Sequence, residues 1–556
     1  TSTTAYPREA AASRRAHRDL AIVESLATLA DSVNEAYAYP HDRIGQAYRD
    51  LLTFDEHSGL GGIWIAFSQH KQVQALEEGK AFLSRPMGEL PILMKEVLDA
   101  LAEKIPYIDE PTVAAINPGL SKGSGLILLE SPMPQEYLED DNSWQRVGSY
   151  YLGYVDHVPA LSYRSIPITK DKMSEVKGVV TTEVLSNEFY EIRLGRNTPL
   201  EGIKDLATGR ELVAPNDWPF AGIIAYREDR SGQELPGGDF QARKDLYEGV
   251  SSQGSIVSIL PPKGVELDSE ILTSGFVTTV VRRRLTCDEL DVSWDIWLYH
   301  QAKRIDLSVT LHHKSQTDKH HIYYLALPFA RSCSHVRHEI PGGWTDPGSK
   351  GQLPGSCMDV YAVGDWIRLS EEGVDDIVLS SRDAALVEYD GIHFNEFLRG
   401  EWKPKTGLLM FRLAYGGGWE GDLAFRFSLT SGKRISDVAA HDFAQQVYKP
   451  LIGVPLTKKG KTQNEWHPHP DGFVRSSNDN VVISHLFRLE EPGAYLIWLK
   501  ELSGEVAHTE LSFPNHLMVN LTHSTPAGHD LGPVKDGRKL VLRPYETLVL
   551  KAILLR

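Results

Sequence analysis

The chain has 556 residues, 41% of them hydrophobic and 24% charged, and no uncharged apolar run of about 20 residues that would predict a membrane span. Lys and Arg number 58 and Asp and Glu 75, so the formal net charge is −17, which argues against a nucleic-acid partner because phosphate backbones are bound through dense basic patches. One ordinary hydrophobic core cannot take up a chain of this length, so the sequence predicts a multidomain protein.

The N-terminal residues and the cysteines bear on processing and compartment. The first fifteen residues lack the apolar segment of a signal peptide, and the chain starts with Thr1 rather than methionine. We therefore expect either that Thr1 follows a cleavage or that the chain begins inside a longer protein. Cys287, Cys333 and Cys357 fit no zinc-ligand spacing and are predicted to be structural thiols. So few cysteines favour a cytoplasmic protein over a secreted one.

Helical periodicity dominates the first hundred residues. Apolar residues recur at helical spacing from Leu20 to Val33, from Ile44 to Leu52 and from Leu90 to Leu101. A further helix with weaker periodicity is predicted over Gln69 to Leu83. Successive amphipathic helices bury their apolar faces against one another, so residues 1–106 are predicted to form an antiparallel helical bundle.

The second of these helices ends in a cluster of polar residues. Asp42 is predicted to cap its start. The apolar pattern stops before Glu56, His57 and Ser58, and a glycine-rich turn follows. A histidine at a helix C-terminus commonly does no more than interact with the last carbonyl groups. Because the glycines allow tight turns there, the same helix end is also suited to present His57 to a site.

The pattern changes from helix to strand near Pro111. From Val113 the hydrophobic period shifts towards two, and proline and glycine become frequent. Ala115–Pro132 is predicted to form a strand, a turn and a strand, and Asp156–Tyr163 an edge strand that contains a proline. Residues 107–177 are therefore predicted to form a small β unit.

After Val179 almost every apolar run is short and rich in β-forming residues. The clearest runs are Phe276–Val281, Val292–Leu298, Ile305–Leu311, Ile322–Leu327, Ile377–Leu379 and Leu423–Leu429. Helical stripes are nearly absent from this part of the sequence. A large antiparallel β-sandwich over residues 178–556 accounts for the pattern best.

Several of these stretches, in the same order along the chain, resemble glycoside hydrolase family 38, the retaining α-mannosidases. The resemblance is carried by the helix that ends at His57, the Asn117-Pro118 pair after the bundle, the segment Asp156–Tyr163 and the opening strands over 185–213. It implies a helical bundle, a small β unit and a mannosidase supersandwich with a galactose-mutarotase-like fold. The shared order of the motifs makes the resemblance specific.

The resemblance also implies roles for residues at the helix end. In that family a helix ends in a histidine that ligates the catalytic zinc, and His57 matches this histidine. Family members usually carry an aspartate directly after it, where this chain has Ser58. The resemblance makes Glu56 and Ser58, on either side of His57, candidate substrate-binding residues.

The resemblance implies that part of the active site lies in another segment. Family 38 enzymes carry an α/β barrel before the bundle, which supplies most zinc ligands and the carboxylate nucleophile, and the residues before Asp42 do not encode one. The chain is thus expected to be the C-terminal part of a retaining, zinc-dependent glycoside hydrolase that acts on carbohydrate and works with a barrel domain or chain. Zinc is expected only in the complete enzyme, since one imidazole cannot form a site of three or four ligands. The nucleophile and the acid/base group cannot be named from this sequence.

Two tryptophans lie in glycine-rich loops. Trp419 follows three glycines and precedes two carboxylates, and Trp344 lies in the segment PGGWTDPG. Aromatic rings bind the apolar faces of sugars, although tryptophan is more often packed in a core or at an edge. Trp344 and Trp419 are therefore candidate substrate-binding residues. His312-His313 and His320-His321 flank a predicted hairpin loop and are predicted to be a surface histidine cluster. The segment with His467 and His469 is predicted to be a solvated loop.

Two alternatives remain. A non-catalytic carbohydrate-binding or interaction protein derived from such an enzyme would keep the same elements. A polysaccharide lyase also joins helices to a large sandwich, but its helical toroid is much longer than a hundred residues can build. The sequence leaves open which sugar and linkage are recognised and whether the chain forms a homo-oligomer.

Overall fold

The computed structural model describes most of the chain. The described residues are 6–56, 69–106, 112–121, 123–129, 144–168, 178–215, 217–228, 254–287, 290–313, 321–332, 335–348, 352–353, 356–393, 402–415, 419, 421–456, 465–467, 469, 472–514, 518–535 and 537–555.

Four α-helices lie in the described residues. They are α1 (Pro7–Val33), α2 (His41–Asp55), α3 (Gln69–Ala102) and α4 (Asp437–Tyr448). The first three pack against one another, in the part of the chain where the sequence predicts helices. The two helices predicted between Gln69 and Leu101 are one helix, which continues through Pro86 and Pro91.

The apolar face of α2 is narrower than the sequence pattern predicts. Its buried apolar residues are Ile44, Ala47, Leu51 and Phe54. Leu52, which the pattern assigns to the same face, is 64% exposed. The helix begins at His41, directly after Pro40, and no side chain caps it. The prediction that Asp42 caps this helix is therefore wrong, because Asp42 lies inside the first turn.

Helix α4 lies in the part of the chain that is predicted to be all β. The side chain of Ser436 accepts a hydrogen bond of 3.1 Å from the backbone N–H of Ala439 and so caps the helix. The buried apolar residues are Val438, Ala440, Ala444, Val447 and Tyr448. Two of them are alanines, which add little to a hydrophobic pattern, and the helix has only 12 residues. Its sequence signal is correspondingly weak.

The remainder of the described chain is mostly β-structure, as the sequence predicts. The first strands are β1 (Thr112–Asn117), β2 (Gly123–Leu129), β3 (Gln145–Val147), β4 (Tyr150–Val158), β5 (Ser162–Pro167), β6 (Val184–Ser186), β7 (Tyr190–Arg193), β8 (Gly202–Asp205), β9 (Arg210–Glu211), β10 (Gly222–Glu228) and β11 (Gly254–Leu260). They are followed by β12 (Asp268–Ser274), β13 (Thr278–Leu285), β14 (Leu290–Tyr299), β15 (Ile305–His313), β16 (His321–Phe329), β17 (His335–Ile340), β18 (Gly343–Thr345), β19 (Tyr361–Ala362), β20 (Ile367–Ser370), β21 (Asp376–Ser381) and β22 (Leu386–Tyr389). The last are β23 (Gly407–Tyr415), β24 (Asp422–Gly432), β25 (Leu451–Leu456), β26 (Arg475–Ser476), β27 (Val481–Arg488), β28 (Ala494–Glu501), β29 (Ala507–Ser512), β30 (Met518–Ser524), β31 (Asp530–Pro533), β32 (Lys539–Leu542) and β33 (Thr547–Leu555).

Two large sheets share one core. The nine-stranded sheet has the order β12-β13-β14-β15-β24-β21-β20-β17-β18, and a six-stranded sheet has the order β11-β10-β16-β23-β22-β19. Buried side chains of both sheets belong to a single cluster, which includes Ile223, Leu325 and Phe411 from the six-stranded sheet and Trp294, Ile296 and Val309 from the nine-stranded sheet. The period of two along β14 thus places alternate residues in this core and on the outer face of the nine-stranded sheet.

The small sheet takes up a strand from far along the chain. Its order is β3-β4-β2-β25-β1-β5, and β25 pairs parallel with β2 and antiparallel with β1. Strand β25, residues 451–456, therefore lies between two strands of the unit that is predicted over residues 107–177. The predicted domain boundaries at residues 106 and 177 remain predictions.

A second large core joins the N-terminal helices to the C-terminal strands. It includes Leu26, Leu51 and Val97 from the helices and Ile497, Leu511 and Leu550 from the strands. The C-terminal strands form a five-stranded sheet, β27-β28-β33-β30-β31, and a three-stranded sheet, β26-β29-β32. The four short strands β6 to β9 form a sheet of their own. The two ends of the described chain are thus folded against each other.

The sequence predicts structural thiols and no membrane span. Neither Cys287 nor Cys357 forms a disulfide bond with a described residue, and Cys333 lies outside the described residues. None of the four helices in the described part of the chain combines the length and the apolarity that crossing a bilayer requires.

Candidate functional site

The end of α2 is held against α1 by its last carboxylate. Asp55 accepts a hydrogen bond of 2.8 Å from Ser13 Oγ, and its other oxygen lies 2.6 Å from His17 Nε2. Ser13 and His17 are four positions apart and therefore lie on the same face of α1. An ionised carboxylate only accepts hydrogen bonds, so Nε2 of His17 is the protonated ring nitrogen in this pair. Two side chains of α1 thus fix the position at which α2 ends.

The predicted site residues at this helix end fall partly within the described chain. Glu56 is exposed and lies just after the last residue of α2. His57 and Ser58 lie outside the described residues. The metal-ligand role of His57 and the substrate-binding roles of Glu56 and Ser58 remain predictions.

The turn before β24 also contacts α1. Arg8 Nη2 donates a hydrogen bond of 3.2 Å to the backbone oxygen of Asp422. The Asp422 carboxylate lies 3.0 Å from Nδ1 of His312, the residue opposite it on β15. Gly421 has a φ of +71°, a conformation that residues with a side chain rarely adopt. This turn is therefore fixed by a positive-φ glycine, a cross-strand pair and an arginine of α1.

Helix α1 consequently links the two stretches that the sequence analysis singles out. Arg8 contacts the turn at Asp422, and Ser13 and His17 contact the end of α2. Arg8 and His17 are nine positions apart and, at about 100° per residue, lie on opposite sides of α1, so the two contacts do not form one surface. We call the surface formed by Ser13, His17 and Asp55 at the end of α2 the α1 face.

Trp419 precedes the turn at Asp422 in the sequence and is mostly packed. Its exposed fraction is 7%, and its ring centre is 4.8 Å from that of His313 and 6.5 Å from that of Tyr323. A ring that stacks on a sugar needs one open face. Such a small exposed fraction leaves room for an edge contact with a ligand. The role of Trp419 in substrate binding remains a prediction.

Trp344 belongs to another surface. It lies on β18, with the guanidinium carbon of Arg337 3.9 Å from its ring centre and Tyr545 packed edge-on at 5.3 Å. Trp344 packs against the small core around α4, whereas Trp419 belongs to the core between the two large sheets. The structure thus places the two candidate tryptophans in different cores, and a stacking role for Trp344 also remains a prediction.

A groove that the sequence analysis missed lies between the nine-stranded sheet and the small sheet. Its floor is the outer face of β14, β15 and β24, its wall is β2 and β4, and the end of α4 closes one side. The cavity has a volume of about 360 Å³. We call it the intersheet groove, and its polar and aromatic lining residues are Tyr150, Asp295, Trp297, Tyr299, Arg304, Asp306, Ser308, Arg382, Arg426 and Ser428.

Paired charges cover the floor of the intersheet groove. Asp295 accepts two hydrogen bonds from Arg282, of 2.6 and 2.7 Å. Asp306 accepts two from Arg304, of 2.7 and 2.6 Å. Such bidentate pairs fix the orientation of both partners. The floor therefore presents a rigid polar surface.

Two aromatic side chains lie among these ion pairs. Trp297 and Tyr299 are stacked, with ring centres 6.4 Å apart, and the Tyr299 hydroxyl donates a hydrogen bond of 3.0 Å to Asp306. Burial raises the pKa of Tyr299 well above its ordinary value, and the charge of Asp306 adds to this. The hydroxyl therefore stays protonated and remains a donor at neutral pH.

Comparisons with known proteins show which solved structures share the fold of this chain. No family model matches the chain, and no curated protein matches it by sequence. An α-mannosidase from Enterococcus faecalis V583 superposes with a TM-score of 0.69 at 12% identity, over 99% of this chain and 68% of the other. A protein in glycosyl hydrolase family 38 from Enterococcus faecalis gives 0.70 at 12% identity, over 99% and 70%.

The chain has the fold of glycoside hydrolase family 38. The predicted resemblance in fold is confirmed over nearly the whole chain. At 12% identity the likeness shows the fold alone.

The zinc that the sequence analysis expects needs several ligands that lie close together. In the ranges that the structure describes, no three His, Cys, Asp or Glu residues are grouped so that they could hold a metal ion. A zinc site needs three or four such ligands. The described residues therefore do not provide a zinc site by themselves.

One local signal could have located the intersheet groove. In DVSWDIWLY, over 291–299, the core-facing residues are apolar, while the alternate positions carry Asp295, Trp297 and Tyr299. An aromatic ring between charged residues on the outer face of a strand is unusual for a surface that contacts only water. The arginines that complete the groove come from other strands, so no local pattern contains them.

Proposed function

We propose that this chain is the non-barrel part of a retaining, zinc-dependent, α-mannosidase-like glycoside hydrolase that acts on carbohydrate. The observation that carries the proposal is the match to two family 38 structures over 99% of this chain but only 68% and 70% of theirs. In this proposal the uncovered share of those structures is an N-terminal barrel domain or chain, which would supply the two catalytic carboxylates.

In this proposal the α1 face adjoins the substrate. His57, directly after α2, would be one zinc ligand, and the barrel would supply the others. When bound, zinc would hold sugar hydroxyls as a Lewis acid. The residues on α1 have a positioning role, because Ser13 and His17 hold Asp55 and thereby fix where α2 ends. Glu56 is exposed at this point and would contact a sugar hydroxyl.

The proposal is tested on the complete natural protein with a panel of nitrophenyl glycosides. His57→Ala is expected to weaken zinc binding by at least about 10- to 100-fold, a range already seen when residues behind the ligands are changed, and to lower the hydrolysis rate accordingly. The melting temperature should stay near that of the parent protein, since no buried apolar residue is lost. Zinc content after dialysis against a weak chelator and kcat are the measurements.

A matched histidine controls for the loss of an imidazole. His467 has a side chain that is 74% exposed, so His467→Ala should change neither zinc content nor rate. Unaltered zinc and activity in His57→Ala would overturn the proposed role of that residue. Sugar binding without hydrolysis by the complete protein would support the non-catalytic alternative.

A further inference from the structure

Three arginines converge on one end of the intersheet groove. Arg304, Arg382 and Arg426 all line the cavity, and they come from three separate segments of the chain. Guanidinium groups repel one another unless carboxylates or bound anions lie between them. The arrangement therefore requires anionic partners.

Two of the three arginines have such partners. Arg304 makes the bidentate pair with Asp306. Arg426 makes another with Asp383, through hydrogen bonds of 2.8 and 2.8 Å. Asp383 is only 6% exposed and also accepts a hydrogen bond of 2.9 Å from the backbone N–H of Arg426. These two pairs neutralise two of the three positive charges.

Arg382 is the third arginine, and its guanidinium forms no hydrogen bond with any described residue. Only its backbone is engaged: its N–H donates to Arg426 and its carbonyl oxygen accepts from Arg18. Asp19 of α1 lies within electrostatic range, but no hydrogen bond joins it to Arg382. The groove thus contains a guanidinium group whose N–H donors make no hydrogen bond with a described residue.

The electrostatic surroundings of Arg382 agree with this geometry. Burial and the charges of Arg426 and Arg304 lower the pKa of Arg382, Asp383 and Asp306 oppose them, and the net pKa is about 10. Burial and the neighbouring arginines therefore destabilise the charged form of Arg382. A bound anion would remove that penalty.

We propose that the intersheet groove binds an oxyanion carried on a sugar, either a carboxylate or a phosphate, with Arg382 as its principal donor. Arginine matches both oxyanions because its planar fork donates two parallel hydrogen bonds. Trp297 lines the same cavity and is half-buried, so part of its ring is available to the apolar face of a sugar. The volume of about 360 Å³ lies within the range of small-ligand pockets. This inference goes beyond the proposed function and does not depend on hydrolysis.

Calorimetric titration of the complete protein with four probes tests the ligand class. D-glucuronate and mannose 6-phosphate carry the two oxyanions on a sugar, mannose lacks the anion, and inorganic phosphate lacks the sugar. At least one of the two acidic sugars should bind at least about tenfold more tightly than mannose. Equal binding of mannose, or no binding of either acidic sugar, would overturn the proposal. If mannose 6-phosphate binds, inorganic phosphate should bind more weakly, and phosphate that binds as tightly would overturn the sugar part of the proposal.

Two variants assign the contacts. Arg382→Gln should weaken binding of the acidic sugars by at least about tenfold without lowering the melting temperature, because its guanidinium makes no hydrogen bond that folding would lose. Trp297→Ala should weaken the acidic sugars and leave inorganic phosphate unchanged. The control is Arg543→Gln. The Arg543 side chain is 81% exposed and, among the described residues, pairs with Glu546, so this variant should bind as the parent does.

The remaining outcomes contradict the proposal. If Arg382→Gln unfolds the protein, Arg382 is a structural residue. If it binds the acidic sugars as tightly as the parent, the anion lies elsewhere. Glycosidase activity is not a readout of these experiments, so their failure is distinguishable from failure of the proposed function.

Discussion

Glu24 of α1 is a buried carboxyl group whose protonation is linked to folding. It is 9% exposed, and burial raises its pKa to about 7, against the opposing effect of a 2.9 Å hydrogen bond from the Tyr48 hydroxyl. The folded state therefore holds a proton that the unfolded chain releases near its ordinary pKa of 4.5. Because the folded-state pKa is the higher one, stability falls as the pH rises from about 4.5 to about 7 and then stays reduced. A difference of this size corresponds to about 3 kcal/mol.

Glu24→Gln is expected to remove this pH dependence. The amide keeps an acceptor for Tyr48 and carries no charge, so the variant should be more stable than the parent at pH 8 and nearly equal to it at pH 4.5. Melting temperatures by calorimetry at the two pH values measure the difference. Exposed Glu103 on the turn after α3 provides the control, since Glu103→Gln should shift the melting temperature at neither pH. An equal gain from Glu24→Gln at both pH values would contradict the linkage.

Among the elements, α4 shows how a cap can start a helix within a β-rich region. Ser436 supplies the cap, and Asp437 in the first turn forms ion pairs of 2.6 Å with Arg337 and 2.9 Å with Arg368. Ser436→Ala should lower the free energy of unfolding by about 1 kcal/mol, the usual cost of a lost cap. Ser436→Asp keeps an acceptor and should remain near the parent in urea unfolding. If both variants lose the same stability, the cap is not the cause.

The elements also show what local sequence can predict. The apolar stripes of α1, α2 and α3 are long enough to indicate their helices, although Leu52 is exposed because only part of the α2 pattern faces the core. The start of α2 was missed because His41 follows Pro40 and needs no side-chain cap. Helix α4 was missed because its buried face is short and partly alanine.

The two candidate sites also differ in how much of each the local sequence can predict. A helix end rich in polar residues is visible locally, so Glu56 and its neighbours could be named from the sequence. The intersheet groove could not, because Arg304, Arg382 and Arg426 meet only after three distant segments are brought together by the pairing of β15, β24 and β21. Contacts that depend on the pairing of distant strands cannot be recognised in a single stretch of sequence.

On the scale of the whole molecule, α1 connects units that are distant in the chain. Its Leu26 belongs to the core shared with the C-terminal strands, and Arg8 contacts the turn before β24. Arg18 donates to the backbone oxygen of Arg382 and to Asp365, and its guanidinium carbon lies 3.6 Å from the ring centre of Tyr448. One helix therefore joins the helical core, the large sheets and α4.

Arg14 is the residue of α1 through which this connection can be tested. Its guanidinium donates hydrogen bonds of 3.2, 2.9 and 3.3 Å to the backbone oxygens of Val363, Gly364 and Ser381. Arg14→Ala would leave these carbonyls without their donor, and each charged hydrogen bond contributes about 1.5–3 kcal/mol. We expect a lower melting temperature and a calorimetric transition that separates into two, because the helices and the large sheets would no longer unfold together. The adjacent Arg15 is exposed, so Arg15→Ala should keep the single transition of the parent, and a parent-like transition in Arg14→Ala would show that α1 does not couple the two parts.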